Sequence, residues 1–347
     1  MPALHTRRLT LRVARVGDAP VFAAYRSDPE IAKYQDWDMP YQAERALTRL
    51  TALETFDDAA EGEWISFAIE HDGEVVGDVV ANIREGGGIA EIGFTLAPAH
   101  HGRGYASEAT SAMVDHLITN HGVHRIEASV DPENVASMRV LEGLGMGKEC
   151  LAPAAYLVRG EWVDDLRYAM SAADRAAWVS RPLTPPAAVE LVEITPDEAY
   201  LWGRLATHHS QERFVATMPL SFRDALFPEA INSEWPKPGG TFVPVVPWMR
   251  GVLADGERAG FVMLADATDH HRVPYLWRLL IDRRHQRRGI GRSTLDLITE
   301  QLREQGHTAL FTSWGEGLGS PEPFYIGYGF VTSGDRDDDE VVGLLTL

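Results

Sequence analysis

The 347-residue sequence contains a single cysteine, Cys150. One thiol cannot form an intramolecular disulfide or supply the thiolates of a cysteine-rich zinc site. The 13 histidines include adjacent pairs at 100–101, 208–209 and 270–271. No His-x-x-x-His segment with nearby carboxylates suggests a metal cage. We therefore expect no metal site, and we expect these histidines on the surface or in loops.

The sequence also lacks long apolar runs and an excess of positive charge. No segment approaches the roughly 18 uncharged apolar residues of a membrane span, and the N-terminal segment has no apolar signal-peptide core. We therefore expect a cytoplasmic protein. The formal net charge of −19 disfavours nucleic acid and anionic membranes as partners. It would attract a cationic molecule, although acidity can also serve solubility alone.

Length and composition indicate two globular domains. The apolar fraction of 45% is ordinary, and a domain holds roughly 150 residues. Three prolines within residues 182–186 favour an extended linker, because proline fits neither a helix interior nor a central strand. We predict domains at 1–180 and 187–347.

Two segments share one pattern, in which a short apolar run ends in a polar turn that opens into a helix. The first turn lies at residues 101–106 and the second at 286–291. A helix begins with unpaired N–H groups and a partial positive charge, so such a turn can bind an anion. Small residues allow the backbone to approach phosphate closely, and neighbouring arginines add charge. The small residues are Gly102, Gly104 and Ala106 in the first turn and Gly289 and Gly291 in the second; the arginines are Arg103, Arg287, Arg288 and Arg292.

What surrounds each turn argues against a dinucleotide site and for a repeated unit. A Rossmann fingerprint needs a small apolar residue three positions after the second glycine, where Ser107 and Thr294 stand. Each turn is instead followed by a helix, a strand and a short helix with a closing Leu-Gly or Tyr-Gly signature, at 144–145 and 328–329.

This ordered pattern resembles the GCN5-related N-acetyltransferases (GNAT), in which the turn binds the pyrophosphate of acetyl-CoA. Residues 1–175 resemble the Rim-type branch, which acetylates protein N-termini, and the second half resembles the diamine and polyamine branch. The resemblance implies an α/β fold of two tandem GNAT domains. Each has a mixed, mostly antiparallel twisted sheet flanked by helices. The strand before the turn is expected to carry a bulge and to splay from its neighbour.

The resemblance also implies site residues. Tyr325 matches the position that faces the CoA sulfur, which makes it the candidate general acid, with a core aromatic as the alternative. Glu91, just before the first turn, is the candidate base, with a solvated carboxylate as the alternative. The implied CoA-binding residues are Phe94, Leu96, His101, Gly102, Arg103, Gly104, Tyr105, Ala106, Asn134 and Ser137 in the first half, and Leu279, Ile281, Gln286, Arg287, Arg288, Gly289, Ile290 and Gly291 in the second.

Two residues of the first half depart from the family pattern. His101 replaces the usual Gln or Arg, and Met146 replaces the usual Phe, so the first half is the weaker match. The second half offers no clear base; Asp282, Glu316 and Glu322 lie within reach.

We expect an acetyl-CoA-dependent acyltransferase whose C-terminal domain acts on a primary amine of a small molecule or peptide. Two alternatives stay open: a tandem member that makes a thiol metabolite, as the mycothiol synthases do, and a non-catalytic CoA-binding module. The acceptor and the oligomeric state, a homodimer included, cannot be read from the sequence.

Overall fold

The computed structural model describes residues 3–228, 230–232, 241–268 and 272–347. The chain divides into two compact units, Met1–Ser180 and Arg181–Leu347, called here the N-terminal and C-terminal domains. The histidine pair at 270–271 lies outside the described residues.

The N-terminal domain alternates helices with the strands of one sheet. Its strands are β1 (Leu4–His5), β2 (Thr10–Val13), β3 (Ile65–His71), β4 (Glu74–Ile83), β5 (Ile89–Leu96), β6 (Arg125–Val130), β7 (Gly147–Val158) and β8 (Glu161–Ser171). Its α-helices are α1 (Ala19–Arg26), α2 (Pro29–Ala32), α3 (Ala43–Leu53), α4 (Tyr105–His121), α5 (Val135–Gly143) and α6 (Ala172–Ser180).

The C-terminal domain repeats the plan. Its strands are β9 (Val189–Val192), β10 (Ile231–Asn232), β11 (Phe242–Val243), β12 (Val246–Ala254), β13 (Glu257–Asp266), β14 (Tyr275–Ile281), β15 (Ala309–Trp314), β16 (Val331–Asp337) and β17 (Glu340–Thr346). Its α-helices are α7 (Ala199–Trp202), α8 (Met218–Leu226), α9 (Ile290–Glu304) and α10 (Glu322–Tyr328).

Each domain has one large mixed, mostly antiparallel sheet, as predicted, and β10 and β11 form a separate two-stranded sheet in the C-terminal domain. The strand order is β1-β2-β3-β4-β5-β6-β8-β7 in the first and β16-β17-β15-β14-β13-β12-β9 in the second. In each sheet one central pair is parallel, β5 with β6 and β14 with β15. Buried apolar side chains of each sheet pack under the long helix that follows the predicted turn, α4 or α9.

Two hairpins of the structure have Asp-Gly turns, which are a strong local turn signal. Asp72-Gly73 joins β3 to β4, and Asp255-Gly256 joins β12 to β13. All four residues have positive φ, between 51° and 82°, which a two-residue turn of type I′ requires. These hairpins place β5 and β14 in the centre of their sheets.

The two strands of each parallel pair separate after a few residues. Pairing of β5 with β6 runs from Ile89 to Glu91, and pairing of β14 with β15 stops after Leu276. The remainder of β5 and β14 therefore has a sheet partner on one side, and each splay opens toward the turn that follows.

The expected bulge occurs in one domain only. The register between β13 and β14 shifts near Met263, where Trp277 is the extra residue. The pairing of β4 with β5 is continuous, so the bulge predicted for β5 is wrong. The two strands lie close there, because a Cβ on Gly77 would come within 2.3 Å of the Thr95 carbonyl oxygen.

Helical structure in the segment 196–207 is limited to Ala199–Trp202, because Gly203 follows and glycine is a poor helix former. The acidic stretch 335–340 mostly belongs to the strands β16 and β17 and leaves a turn at 338–339.

Candidate active site

The turn between β5 and α4 contains two glycines in a left-handed backbone conformation. Gly102 has φ 72° and Gly104 has φ 76°, a conformation that costs other residues about 1–2 kcal/mol. Gly104 is the N-cap of α4, and no side chain caps this helix. The first N–H groups of α4 are therefore available to an anion.

Arg8 braces this turn. Its guanidinium donates to the Arg103 carbonyl oxygen at 2.8 Å and to Glu108 at 2.7 Å, and it lies over the Tyr105 ring. The Thr6 hydroxyl also donates to Glu108, at 2.6 Å. These contacts turn the Arg103 carbonyl toward Arg8 and fix the peptide at the start of α4.

The turn between β14 and α9 has the same backbone. Gly289, the N-cap of α9, has φ 79° and no side-chain cap. Arg287 has φ 64° and occupies the position that Gly102 holds in the first turn. The second turn is thus built with an arginine in a left-handed conformation.

His101 and Gln286 make the same contact. His101 Nε2 lies 3.0 Å from the carbonyl oxygen of Leu96, and Gln286 Nε2 donates to the carbonyl oxygen of Ile281 at 3.0 Å. Each carbonyl belongs to the last residue of its strand. An imidazole with its proton on Nε2 therefore replaces the amide that the family pattern expects.

Arg288 departs from its predicted role. Its side chain is only 4% exposed; it donates to the Thr184 carbonyl oxygen at 2.9 Å and lies 3.0 Å from His285 Nδ1. The prediction that this guanidinium adds charge for phosphate is therefore wrong. Gly291 also has a packing reason to be small, because a Cβ there would lie 3.3 Å from the Phe324 ring.

A cavity of about 510 Å³ lies where β5 and β6 separate. Four predicted residues line it: Glu91, Phe94, Asn134 and Ser137. The Asn134 side chain accepts from the Ser137 N–H at 3.0 Å and caps α5. The Asn-x-x-Ser pattern therefore starts a helix whose first turn borders the cavity.

Glu91 lies at the apex of the splay. It is opposite Glu127, in the last paired position of β5 and β6. Arg84 contacts both carboxylates, Glu91 at 3.4 Å and Glu127 at 2.6 Å. The Glu91 side chain is 31% exposed, so a molecule in the cavity can contact its carboxylate.

The cavity is rich in negative charge. Arg26 and Arg49 are its two guanidinium groups, and Arg26 forms a buried ion pair with Asp78 at 2.7 Å. The carboxylates that line it outnumber them: Asp36, Asp78, Glu91, Asp131, Asp164 and Asp165. A cationic molecule would be attracted to this surface.

Comparisons with known proteins agree with this geometry. Residues 8–147 match the family model described as acetyltransferase (GNAT) domain, and residues 209–317 match the acetyltransferase (GNAT) family. Uncharacterized N-acetyltransferase p20 of Bacillus licheniformis is 34% identical over 165 residues, which cover 47% of this chain and 93% of that protein. The chain belongs to the GNAT family. It is a tandem GNAT N-acetyltransferase, and the family uses acetyl-CoA and acetylates amines.

The first GNAT domain resembles Rim-type enzymes. The ribosomal protein uS5 alanine N-acetyltransferase of Escherichia coli is 30% identical over 83 residues, 24% of this chain and 43% of that protein. A structure of Mycobacterium smegmatis RimJ in complex with CoA-disulfide is 31% identical and covers 48% of this chain and 83% of that one, with a TM-score of 0.42.

Tyr325 lies at the apex of the second GNAT splay. Its ring is buried and stacks on Trp314, with a centroid distance of 5.5 Å. Its hydroxyl lies near the side chain of Thr312, the last residue of β15 paired with β14. Burial raises the pKa of Tyr325 to about 12, so the hydroxyl keeps its proton at neutral pH.

Two of the three possible bases of the second GNAT domain, Asp282 and Glu316, are engaged elsewhere. Asp282 is 2% exposed and accepts from the backbone N–H groups of Ala206 and Arg284, so it closes the turn. Glu316 pairs with Arg336, and Glu322 begins α10. Asp282 is therefore withdrawn as a base.

Several polar residues of the first cavity were missed by the sequence analysis. Tyr156 contacts Asp36, and burial together with this carboxylate raises its pKa to about 12. The Ser129 hydroxyl donates to Asp165, which also accepts from Arg167 at 3.0 Å. The only sequence signal was the pair of aspartates, 164–165, inside an otherwise alternating strand.

In the part of the chain that the structure describes, no helix is long and apolar enough to cross a membrane.

Proposed function

We propose that this GNAT protein acetylates a cationic primary amine and that the N-terminal domain contains one of its active sites. This site is additional to the one predicted around Tyr325 in the C-terminal domain. The observation that carries the proposal is the acidic cavity at the β5–β6 splay, which adjoins the strand that leads into the left-handed turn.

The residues of the turn fit a bound pyrophosphate. Gly102 leaves open space where a side chain would stand, since a Cβ there would meet no atom within 4 Å, and a Cβ on Gly104 would lie 3.5 Å from the Arg8 guanidinium. The uncapped N–H groups of α4 suit a negative group, and the exposed Arg103 side chain can approach it. Acetyl-CoA, when bound, supplies the acetyl group as an activated thioester.

Glu91 is proposed to take the proton from the acceptor. An alkyl ammonium group has a pKa of about 10.4 and is not a nucleophile until it loses a proton. Glu91 lies at the apex of the splay, and Arg84 holds its carboxylate on one side. The surrounding carboxylates would first attract the ammonium group and then leave Glu91 to accept its proton.

The acceptor class follows from the same charges. An anionic amine would be repelled by the cavity, whereas a peptide N-terminus, a diamine or a polyamine would be attracted. Because this attraction is electrostatic, kcat/KM for such an acceptor should fall as salt rises, since the Debye length is about 8 Å at physiological ionic strength.

The test is thiol release from acetyl-CoA with a panel of N-terminal peptides, diamines, polyamines and neutral amino acids. A chain carrying Gly289→Val restricts turnover to the N-terminal domain. In that chain Glu91→Gln should lower kcat about a hundredfold, while the exposed Glu74→Gln at the β3–β4 turn should not. Full turnover by Glu91→Gln would remove Glu91 from the mechanism, and a flat salt dependence would remove the cationic acceptor.

A further inference from the structure

A second cluster of titratable side chains lies away from the cavity, near the C-terminal end of α4. His116 and His121 belong to α4, and Asp58 lies between α3 and β3. One ligand atom from each of the three lies within 4.8 Å of the other two. His116 Nε2 is 2.9 Å from Asp58 Oδ1, and His121 Nε2 is 3.3 Å from Asp58 Oδ2.

One nitrogen of this cluster makes no hydrogen bond. His121 Nε2 is buried and has no hydrogen-bond partner, although it lies 3.3 Å from the Asp58 carboxylate. A buried nitrogen without a hydrogen bond is uncommon in proteins, and a bound ion is one of its ordinary explanations. The His116 side chain is 6% exposed, so the cluster is also shielded from water on one side.

We propose that Asp58, His116 and His121 bind one divalent transition-metal ion, with Zn²⁺ as the natural occupant. Two imidazole nitrogens and one carboxylate oxygen suit Zn²⁺ and its neighbours, whereas Mg²⁺ and Ca²⁺ prefer oxygen ligands alone. In a tetrahedral zinc site with bonds of about 2.0–2.1 Å, neighbouring ligand atoms lie roughly 3.3 Å apart. The nitrogen–oxygen distances of 2.9 and 3.3 Å are close to that spacing.

The carboxylate is already oriented for this role. The Ala59 N–H donates to Asp58 Oδ1 at 2.7 Å, and hydrogen bonds of this kind fix ligating carboxylates in metal sites. The two imidazole rings are nearly perpendicular, 5.1 Å apart, so their Nε2 atoms approach the carboxylate from different directions. Three protein ligands leave the fourth position to water.

The site joins α4 to the segment before β3. His116 follows Tyr105 by eleven positions, which places it about 16 Å along the helix from the pyrophosphate turn. The ion would therefore anchor the far end of α4 and is not expected to take part in acyl transfer. Its effect should appear in stability.

This inference differs from the expectation of no metal site. Residues five apart point about 140° away from each other on an ideal helix, so the sequence spacing does not predict that His116 and His121 meet. They meet at Asp58, which lies outside the helix and is contacted by both imidazoles.

The test is titration of the tag-free, chelator-treated full chain with Zn²⁺ by calorimetry. We expect one ion per chain at this site and a rise in the thermal midpoint with Zn²⁺ but not with Mg²⁺. His121→Ala and Asp58→Asn should each weaken binding at least tenfold. His5→Ala, which removes an exposed histidine of β1, should leave binding unchanged.

A second measurement does not depend on the folding of variants. X-ray absorption of the zinc-loaded wild-type chain should show two imidazole ligands and oxygen. Binding that is unchanged in both His121→Ala and Asp58→Asn, binding only at other histidines, or a spectrum without two imidazoles would overturn the proposal.

Discussion

The two turns, at residues 101–106 and 286–291, have the same backbone conformation and different side chains. The contact from His101 to the Leu96 carbonyl is made by Gln286 to the Ile281 carbonyl in the second turn. The left-handed position of Gly102 is held by Arg287. The family pattern is therefore a pattern of conformations and hydrogen bonds. A residue of a different type, such as His101, can still make the expected hydrogen bond.

The two splays differ in chemistry. The apex of the first carries Glu91 beside Arg84, and its walls are acidic. The apex of the second carries the buried hydroxyl of Tyr325 against Thr312, in an aromatic cluster. The first arrangement is suited to accepting a proton and the second to keeping one. The comparison implies that the two domains, if both are active, use different groups.

The largest effect is expected from blocking each turn separately. Valine at Gly104 or Gly289 would force a β-branched residue into a left-handed N-cap, at a cost of about 1–2 kcal/mol or more, and would crowd the N–H groups. Wild type should bind two CoA molecules per chain in titration calorimetry. Each variant should lose one of them.

Gly143→Val is the control, since Gly143 is exposed and a Cβ there meets no atom within 4 Å. A wild-type stoichiometry of one, abolished by Gly289→Val alone, would show that the first turn does not bind CoA.

The next effect concerns Tyr325. Tyr325→Phe keeps the stacked ring and removes the hydroxyl that is proposed to deliver a proton. We expect kcat of the C-terminal domain to fall about a hundredfold with CoA affinity unchanged. Tyr328→Phe on the same helix, which removes a hydroxyl bonded to Asp296, should leave kcat unchanged. Equal turnover in both variants would make Tyr325 a core aromatic only.

A smaller effect, on stability, is expected from changing the residue type at the left-handed position that Gly102 and Arg287 occupy in their turns. Gly102→Ala should destabilise the N-terminal domain by about 1 kcal/mol, because alanine disfavours positive φ. Arg287→Gly should stabilise the C-terminal domain by less than that, since glycine also gains entropy in the unfolded chain. Denaturant unfolding of both variants measures the two changes in the free energy of unfolding. A destabilised Arg287→Gly would mean that the arginine side chain supports the turn.

Much of this architecture could be predicted because it is encoded locally. The Asp-Gly hairpins follow from backbone preferences of two adjacent residues. The turns at 101–106 and 286–291 follow from small residues between an apolar run and a helix. Met146 replaces an aromatic residue, yet it is fully buried, because a core position requires volume and apolarity more than one residue type.

The parts that could not be predicted depend on distant segments. Tyr156 and Asp36 meet only after β7 returns to the sheet edge, and Arg288 is buried because the Thr184 carbonyl of the linker reaches it. Local patterns contain no information about such pairings. The roles of Glu91 and Tyr325 stay predictions, since position at a splay apex does not by itself establish proton transfer.

The smallest expected effect is a pH dependence of stability that arises from His285, next to the second turn. Burial lowers the pKa of His285, and the Arg288 charge adds to this effect. Its Nδ1 accepts from Arg288, which only the neutral ring can do. The unfolded chain takes up this proton near pH 6.5 and the folded chain resists it. The stabilisation is therefore complete above about pH 6.5 and is lost as pH falls toward the lower folded pKa.

Thermal unfolding from about pH 7.5 to 5.5 should therefore show a loss of stability that His285→Gln reduces, since a glutamine oxygen accepts from Arg288 without titrating. The matched control is His101→Gln in the first turn, where the glutamine amide can donate to the Leu96 carbonyl in place of Nε2; the loss caused by His285 should remain in that variant. If His285→Gln leaves the pH dependence unchanged, the bond between His285 and Arg288 does not contribute to stability.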